Sequence, residues 1–394
     1  MNIKKRLENY KSAAPGEKKE KKKISPSVSA LKEHFNAVLS SDETPFIFIE
    51  KKKVLDPQLK SILIKNKLNF QLLSKNQIGK INAEECLFFD LETTGLMGGT
   101  GTFAFLMGFG FFKEDIFYVH QYFLPDYGIE YQLFERLQEL YGSKKVLVSY
   151  NGKSFDLPLL NTRFTMNRFP KIFSEMQHLD LLHLARRLWK NSYPACNLNT
   201  IEENILNRYR ENDIPGAFIP QAYFDFLNSG RVNEIIQIIE HNYFDILSLG
   251  ELFLIIGNIE DDFCDINDEK VLLQIAQLAY EQKSMQLYTL NDKLKESEDY
   301  IYLLACDYKR RRNGEKAESY WQFLSTTKKY HFIALEELTK YYEHITKNYH
   351  KALEYAEKAS AHLQTIGELK ADFALESTFY SFQRRIMRLK KKIS

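Results

Sequence analysis

Patterns that predict β-strands are confined to one stretch of this chain of 394 residues. Between residue 85 and about residue 180, short apolar runs bounded by turn residues predict several strands, and helical periods occur among them. Beyond about Asp265 only the period of amphipathic helices remains. A chain that mixes strands with helices and then continues with helices alone is expected to form a mixed α/β domain followed by an all-α domain.

The predicted elements of the α/β part follow one another closely. The region before residue 142 holds three apolar runs of strand length and one helix: Cys86–Leu91, Thr102–Phe112, Ile116–Leu124 and Ile129–Tyr141. The second and third runs are separated by a short charged turn and predict a hairpin. Val146–Tyr150 is a further strand, His178–Trp189 a short strand that runs into a helix, and Val232–Ile256 a long helix with few breakers.

These patterns divide the chain into four segments. Residues 1–25 show no apolar period and carry nine basic and three acidic side chains, which predicts a disordered basic arm, either a solubilising tail or a nucleic-acid tether. Residues 26–82 are expected to form a lead-in segment that packs on the next domain. Residues 83–265 form the predicted α/β domain, and residues 266–394 form the predicted helical domain.

The helical domain contains an internal repeat. Tyr302–Phe323 and Phe332–Ala359 both predict paired helices, and Leu304 aligns with Leu338 at a period of 34 residues. The second unit resembles a tetratricopeptide repeat, whose unit is about 34 residues. Since solenoids usually need three or more units, degenerate flanking helices near residues 270–290 and 371–390 are expected to complete a small array.

The overall charge conceals an uneven distribution. The formal net charge is +2, but the N-terminal arm contributes +6 and the run Arg384–Lys392 another +6, which leaves −10 for the body between them. This balance argues against a polycationic packaging protein. No run approaches the ~18 apolar residues of a membrane span, and the N-terminus lacks the apolar region of a secretory signal. Four scattered cysteines form no CxxC pair, which favours a cytoplasmic protein without a zinc or disulfide framework.

Two carboxylates interrupt the otherwise apolar sequence FFDLETTGL at residues 88–96. On a strand, Asp90 and Glu92 are two residues apart and therefore point to the same face. An apolar strand that places two carboxylates on one face needs a partner for them, and a metal ion is the simplest one. The pair alone is weak, because this composition predicts roughly seven such pairs by chance. A solvated strand end is the alternative.

Two further acidic motifs occur at compatible places. In VSYNGKSFDLPLL, residues 148–160, a polar break separates an apolar strand from Asp156 in the first turn of a helix. Asp156 can also serve there as a partner of the helix dipole. In EHNYFDILSL, residues 240–249, His241 and Asp245 are four apart and share one helical face. Asp245 has apolar neighbours, where an unpaired carboxylate is costly, and a core histidine with a local Asp partner is the alternative.

Together these motifs resemble the DEDD 3′–5′ exonuclease superfamily of the ribonuclease H-like fold. The resemblance is strongest to the bacterial YprB-like branch, in five ordered stretches: FDLETTGL, YNGKSFDLPLL, HLDLLHLARRLW, DIPGAFIPQAYFDFLNSG and HNYFDILSL. It covers about residues 83–256, and members of the branch also carry a tetratricopeptide-like C-terminal region. It implies a ribonuclease H-like mixed sheet with flanking helices and four metal-binding carboxylates: Asp90, Glu92, Asp156 and Asp245.

The spacing of His241 departs from the superfamily pattern. Members place Tyr four residues, or His five residues, before the last Asp, whereas His241 lies four residues before Asp245. Imidazole can take a proton near neutral pH, so the residue type favours His241 as the general base. The spacing leaves its reach to the attacking water open, and a supporting or structural role is the alternative.

The resemblance implies a hydrolase that acts as a 3′–5′ exonuclease on a single-stranded 3′ end of DNA or RNA. Four carboxylates with one imidazole suit two Mg²⁺ or Mn²⁺ ions. In such a reaction one ion activates water and the other stabilises the leaving 3′-oxygen. By resemblance, Asp90 bridges both ions, Glu92 and Asp245 complete the first site, and Asp156 holds the second through water. His241 takes the proton.

Substrate-binding residues are predicted where the chain leaves the two strands that carry the acidic motifs: Thr93, Thr94, Gly95, Leu96, Asn151 and Phe155. Nothing in the sequence separates DNA from RNA. Two alternative functions stay open, because a fold does not fix a function. One is a nuclease of the same fold that cuts internally or at particular structures. The other is an adaptor that binds nucleic acid or a protein partner through the helical repeats.

Two other features are interpreted more simply. Gly99–Ala104 satisfies the GxGxxA dinucleotide fingerprint, but an apolar strand is predicted where that motif requires a helix, so the interpretation is rejected. Asp180 lies near the end of a predicted strand. An ion pair with His178 or Arg186 is its favoured role, and support of the metal ligands is the alternative.

Overall fold

The computed structural model describes residues 24–41, 45–65, 67–95, 101–211, 213–263, 266–285, 294–367 and 373–394. The predicted basic arm therefore lies almost wholly outside the described residues, as does Leu96. The chain divides into two compact units. The first contains the described residues up to 68 together with 80–185 and 195–257, and the second contains 69–79, 186–194 and the chain from 258 onward.

The strands in chain order are β1 (Val38–Leu39), β2 (Ile47–Val54), β3 (Leu68–Asn69), β4 (Lys80–Ile81), β5 (Cys86–Thr93), β6 (Ala104–Lys113), β7 (Ile116–Phe123), β8 (Val146–Ser149) and β9 (Gln177–Asp180). All but β3 and β4 form one sheet in the order β1-β2-β7-β6-β5-β8-β9. Neighbours from β1 to β5 are antiparallel, whereas β5–β8 and β8–β9 are parallel. The predicted mixed sheet and its hairpin are confirmed.

Strand β2 belongs to the sheet although the sequence predicted only a packed lead-in segment before residue 83. It pairs with β7 along its whole length, from Ile47 opposite Phe123 to Val54 opposite Ile116. Its first half alternates between buried and less buried residues, but its second half contains Lys51–Lys53 and is largely exposed. The lysines hide the strand period from sequence analysis, because three consecutive lysines interrupt the alternation of apolar and polar side chains.

The helices in chain order are α1 (Pro26–Phe35), α2 (Pro57–Leu63), α3 (Glu130–Tyr141), α4 (Asp156–Met166), α5 (Leu181–Trp189), α6 (Leu198–Ile205), α7 (Ile219–Ser229), α8 (Asn233–Ile259), α9 (Glu269–Glu281), α10 (Glu298–Arg310), α11 (Gly314–Leu324), α12 (His331–Lys340), α13 (Tyr349–Gly367) and α14 (Phe373–Ile393). Phe89 and Leu91 of β5 join a core with apolar residues of α3, α4 and α7. Phe88 points to the opposite face and contacts Phe253 of α8, with ring centroids 5.2 Å apart. Helices therefore cover both faces of the sheet.

Helix α8 lies unusually close to strand β6. A Cβ atom added to Gly108 would lie 2.3 Å from Oδ1 of Asn242, and one added to Gly110 would lie 2.7 Å from Cγ2 of Ile246. Glycine is therefore required where the helix crosses the strand. By length and composition α8 is apolar enough to cross a membrane, but 72% of its most apolar 18-residue window is buried inside the structure, as in a core helix.

The second unit is helical after residue 258, as predicted. Among the described residues, each helix from α9 to α14 contacts the next one along the chain. A core of small and aromatic side chains joins α10 to α14, with Ala317, Trp321, Ala352 and Ala356 all buried. Helix α12 continues into a five-residue π-helical segment, Tyr341–Ile345. Alanines at the crossing points allow these helices to approach closely.

Candidate metal centre

Strand β5 presents the first two carboxylates of the site. Asp90 and Glu92 alternate with Phe89 and Leu91, so that both carboxylates point away from the core that buries the apolar pair. The register of β5 against β6 shifts between Glu92 and Thr93. Such a bulge bends a strand and redirects its side chains, and bulges are common next to active sites. The strand therefore ends immediately beyond the two carboxylates.

Helix α8 places an amide against Asp90. Gly108 pairs with Asp90 across the sheet, and its missing side chain leaves room for Asn242. The Asn242 amide donates a hydrogen bond of 2.9 Å to Oδ2 of Asp90. Gln121 on β7 donates a 2.9 Å hydrogen bond to Oδ1 of Asn242, which fixes the orientation of the amide. Asp90 is thus held in one direction by neighbours that carry no charge.

Asp156 approaches the site from the turn between β8 and α4. The turn residue Asn151 has a φ of 66°, and its N–H donates a 2.8 Å hydrogen bond to Asp180. A Cβ atom at Gly152 would lie 2.7 Å from the Ser149 side chain and 3.0 Å from Oδ2 of Asp156, so the turn closes only around a glycine. The first turn of α4 then begins at Asp156.

The predicted ion pair of Asp180 with His178 or Arg186 is wrong. The Asp180 carboxylate instead accepts hydrogen bonds from the backbone N–H groups of Asn151, Lys153 and Leu182, at 2.8 to 3.1 Å. His178 is hydrogen-bonded to Ser149 at 2.8 Å, and burial lowers its pKa to about 4. Asp180 therefore stabilises the turn that carries Asp156, which is the supporting role that the sequence left as the alternative.

His241 and Asp245 meet Glu92 at the other side of the site. Nε2 of His241 lies 3.4 Å from Oδ2 of Asp245 and 4.0 Å from Oε1 of Glu92. One ligand atom from each of the three residues lies within 4.8 Å of the others, a separation that a shared metal ion can bridge. The i,i+4 spacing on α8 thus brings both side chains to one face, as predicted.

Two charged residues that the sequence did not single out complete this side. Nη2 of Arg210 lies 2.5 Å from Oδ1 of Asp245 and also contacts Glu202, which is almost fully buried. Nδ1 of His241 lies 2.7 and 2.9 Å from the two oxygens of Asp213. Burial opposes the charge on Arg210, but Asp245 and Glu202 raise its pKa further above its already high value. The guanidinium is therefore a permanent positive charge at Asp245.

The carboxylates repel one another where they meet. Burial, and then the charges of Asp245 and Asp156, raise the pKa of Asp90 well above its usual range. Burial and the charge of Asp90 do the same for the pKa of Glu92. Burial and the charge of Asp180 raise the pKa of Asp156 to about 7. A cation bound between these oxygens would relieve both the desolvation and the repulsion.

The predicted substrate-binding residues other than Leu96, which lies outside the described residues, adjoin the acidic motifs in the chain. The Thr93 hydroxyl donates to the carbonyl of Gly95, and the Thr94 hydroxyl accepts from the N–H of Phe103, so both hydroxyls close the local turn. Asn151 supports the Asp180 turn through its backbone. Phe155 is 56% exposed and available to a ligand. The roles of these residues remain predictions.

An open cavity of about 230 Å³ adjoins His241. Its wall includes Arg210 and Asp213 from the loop before α7 and Phe244 from α8. Tyr209 and Phe244 are 73% and 38% exposed at this cavity. The sequence of the loop before α7 has no apolar period. Its charged residues are typical of a solvent-exposed loop, so no local pattern identified Arg210 as a site residue. Asp213 stood at the start of one stretch that carried the family resemblance, which was the available clue.

Comparison with known proteins gives a family match, a relative and a solved structure. Residues 87–256 match a family described as the RNase_H superfamily. The chain is 35% identical over 325 residues to the uncharacterized protein YprB of Bacillus subtilis (strain 168), and the match covers 79% of this chain and 76% of that protein. A solved family B DNA polymerase from the archaeon Pyrobaculum calidifontis shares 14% identity with a TM-score of 0.33, over 57% of this chain and 29% of the polymerase.

Proposed function

The chain belongs to the family of Bacillus subtilis YprB and carries an RNase_H superfamily domain, and from this membership we propose that it is a metal-dependent 3′–5′ exonuclease of the DEDD type. The substrate class is nucleic acid with a single-stranded 3′ end. The activity is hydrolysis of the phosphodiester bond. The superfamily supports a nucleic-acid-processing enzyme, and the 3′–5′ direction is proposed from the resemblance of the acidic motifs to the DEDD exonucleases.

One observation carries the proposal. Four carboxylates converge from three separate elements, Asp90 and Glu92 from β5, Asp156 from α4 and Asp245 from α8. Within the described part of the chain, Asp245 alone among them is paired with an arginine or lysine. Keeping several carboxylates charged and close without counter-ions is costly, so this arrangement favours cations as their partners.

The donor set fits Mg²⁺ or Mn²⁺. Hard divalent ions prefer carboxylate oxygens, and Mn²⁺ also accepts an imidazole nitrogen. Asp90 and Asp156 would hold one ion, and Glu92, Asp245 and again Asp90 the other. Bound ions supply an activated water and stabilise the leaving oxygen. The residues of the chain contribute orientation: Asn242 holds Asp90, Asp180 holds the turn of Asp156, and Arg210 holds Asp245.

Substrate binding would use the exposed side of this cluster. Phe155 presents an aromatic face beside the turn of Asp156, and bases of single strands stack on such faces. We propose Thr93, Thr94, Gly95 and Asn151, together with Leu96, which lies outside the described residues, as substrate-binding residues. The helical unit would resemble tetratricopeptide repeats and serve a protein partner, since its helices pack sequentially on one another. A cytoplasmic location remains a prediction.

A digestion experiment tests the proposal. Oligonucleotides of DNA and RNA, labelled at either the 3′ or the 5′ end, would be incubated with the protein and Mn²⁺ or Mg²⁺. We expect immediate release of a labelled mononucleotide from the 3′-labelled strand and a ladder of shortening products from the 5′-labelled strand. Fragments of intermediate size from the start would instead indicate internal cutting, and intact strands under all conditions would contradict a nuclease.

A further inference from the structure

His241 is the site residue whose role the sequence left open. Its side chain is 15% exposed and lies between the carboxylate of Asp213 on one side and those of Glu92 and Asp245 on the other. A general base and a metal ligand both need an unprotonated ring nitrogen. They differ in what that nitrogen faces, because a base faces a water on the substrate side and a ligand faces the other ligands of an ion.

The contact with Asp213 decides which nitrogen carries the proton. Both oxygens of Asp213 lie within 2.9 Å of Nδ1, and a carboxylate can only accept a hydrogen bond there. Nη1 of Arg210 also lies 3.3 Å from Nδ1, but the Asp213 oxygens are closer, so Nδ1 donates its N–H to Asp213 and Nε2 keeps its lone pair in the neutral ring. Histidines that bind metals through one nitrogen almost always donate from the other to such an oxygen.

The free nitrogen faces the metal-binding carboxylates. Nε2 lies 3.4 Å from Oδ2 of Asp245 and 4.0 Å from Oε1 of Glu92, and it makes no hydrogen bond within the described residues. Ligand bonds of about 2.0 to 2.2 Å separate two ligands of one ion by roughly 3.0 to 4.3 Å, depending on the angle between them. Both measured distances fall in that range, and both are too long for good hydrogen bonds.

Arg210 fixes the orientation of the Asp245 carboxylate, as Asp213 fixes that of the His241 ring. Its guanidinium occupies Oδ1 of Asp245, which leaves Oδ2 as the oxygen beside Nε2 of His241. Glu202 holds the guanidinium from its other side, and Ser248 donates a hydrogen bond to Glu202 in turn. Arg210 and Asp213, which lie on one loop, thereby orient Oδ2 of Asp245 and Nε2 of His241 toward the carboxylate of Glu92.

We propose that Nε2 of His241 is a ligand of the divalent ion held by Glu92 and Asp245, and that Asp213 and Arg210 are positioning residues of this ion. The inference rests on the proposed function and changes the role of His241 from base to ligand. It also explains the spacing, because residues at i and i+4 on a helix can bind one ion together. A nitrogen ligand favours Mn²⁺ over Mg²⁺ at this position.

Pulsed electron paramagnetic resonance of bound Mn²⁺ tests the assignment directly. The metal-free full-length protein would receive one equivalent of Mn²⁺, with no substrate present. We expect a ¹⁴N coupling from a directly bound imidazole, replaced by a ¹⁵N coupling when the protein is grown with ¹⁵N-labelled histidine. His241→Gln should abolish the coupling. His183→Gln is the matched control, since His183 is exposed in the same unit and should leave the coupling unchanged.

Asp213→Asn tests the positioning role by Mn²⁺ titration. Loss of a carboxylate behind a ligating histidine typically lowers metal affinity by about 10- to 100-fold. We expect that loss with the nitrogen coupling retained, because the ligand itself is still present. Urea unfolding of each variant without metal would show whether the fold is intact, and the coupling in the unaltered protein needs no variant at all.

The outcomes separate this inference from the proposed function. Mn²⁺ binding without a nitrogen coupling, in a protein that cleaves nucleic acid, would overturn the ligand role and return His241 to the role of base. Cleavage with Mn²⁺ together with an imidazole coupling would support both. A protein that neither binds Mn²⁺ nor cleaves would overturn the proposed function and the inference together.

Discussion

Each unit of the molecule contains a buried carboxylate site, and the two sites are neutralised in opposite ways. In the helical unit, the Glu343 side chain is fully buried but receives hydrogen bonds of 2.7 to 2.9 Å from Arg388 and Lys392. Burial alone would raise its pKa, yet these cations lower the pKa of Glu343 to about 2. In the sheet unit, burial and like charges raise the pKa of Asp90, Glu92 and Asp156.

This difference distinguishes a structural carboxylate from one that requires a ligand. Glu343 is neutralised within its own unit, and Asp307 likewise contacts Arg310 and Arg311. The cations of the basic run Arg384–Lys392 are partly used in this way, since Arg385, Arg388, Lys390 and Lys392 all contact glutamates. In the sheet unit, Glu130 and Glu202 are likewise paired with arginines, whereas Asp90, Glu92 and Asp156 form no ion pair with Arg or Lys within the described residues, which is expected where a cation binds.

Asp90→Asn should have the largest effect on activity. Asn keeps the shape of Asp90 but removes the charge that both proposed ions share. Metal stabilisation of a transition state is worth several kcal/mol, so kcat should fall at least about a hundred-fold. Initial rates on a 3′-labelled oligonucleotide with Mn²⁺ measure it. Asp225→Asn, at a partly exposed carboxylate paired with Arg231 in the same unit, is the control and should keep full activity.

Asp156→Asn should stabilise the metal-free protein at alkaline pH. The folded-state pKa of Asp156 is about 7, above its ordinary 3.8, so the folded state holds this proton more tightly than the unfolded state. Its contribution to stability is greatest below pH 3.8 and is lost as pH rises through 7. The free energy of unfolding of the variant minus that of the unaltered protein should therefore increase by on the order of 2 kcal/mol from pH 5 to pH 8.

Urea unfolding in a chelator at the two pH values measures this gain. Saturating Mn²⁺ should remove most of the advantage, because the ion stabilises the charged carboxylate of the unaltered protein. An equal stability difference at both pH values would show that Asp156 is ionised throughout, and the contrast between the two units would then fail at this residue.

Glu343→Gln should lower the free energy of unfolding and leave the rate of cleavage unchanged. The variant loses charge-assisted hydrogen bonds from Arg388 and Lys392, whose heads remain partly exposed and can be hydrated. We expect a loss of about 1 to 2 kcal/mol of unfolding free energy. For the unaltered Glu343, stability is present above its ordinary pKa of 4.5 and is lost as pH falls toward 2. Urea unfolding at pH 7 checks the loss, and reduced cleavage by a folded variant would contradict a purely structural role.

Phe155→Ala should have the smallest effect. Stacking of a base on an aromatic ring is worth about 1 to 3 kcal/mol, so KM should rise about five-fold or more with little change in kcat. Phe218→Ala is the matched control, because Phe218 is 63% exposed in the same unit and should not alter KM. Equal KM values for both variants and the unaltered protein would remove Phe155 from the substrate site.

Regular spacing in the sequence made part of the candidate metal site predictable. Asp90 and Glu92 were assigned to one face from the two-residue period of a strand, and His241 and Asp245 from the four-residue spacing of a helix. The fold brings these residues together because β5 is an inner strand of the sheet and α8 crosses the neighbouring strand at Gly108. Each pair follows from a local rule, the meeting of the two pairs depends on this tertiary crossing, and their chemical roles are proposals.

The parts that the sequence did not predict lack such a period. The loop of Arg210 and Asp213 is irregular, and its contacts with Asp245 and His241 join residues 28 to 35 positions apart. Strand β2 was missed because its outer half is composed of exposed lysines, which do not alternate with apolar residues. Asp180 was assigned to a charged partner, but its carboxylate is satisfied by backbone N–H groups, and backbone donors leave no trace in residue types.

The most direct test of the central claim is anomalous diffraction from crystals of the protein soaked in Mn²⁺. The account predicts two manganese peaks enclosed by Asp90, Glu92, Asp156 and Asp245, one of them within bonding distance of Nε2 of His241. The same carboxylates with no manganese between them, under conditions in which Mn²⁺ binds elsewhere on the protein, would contradict it.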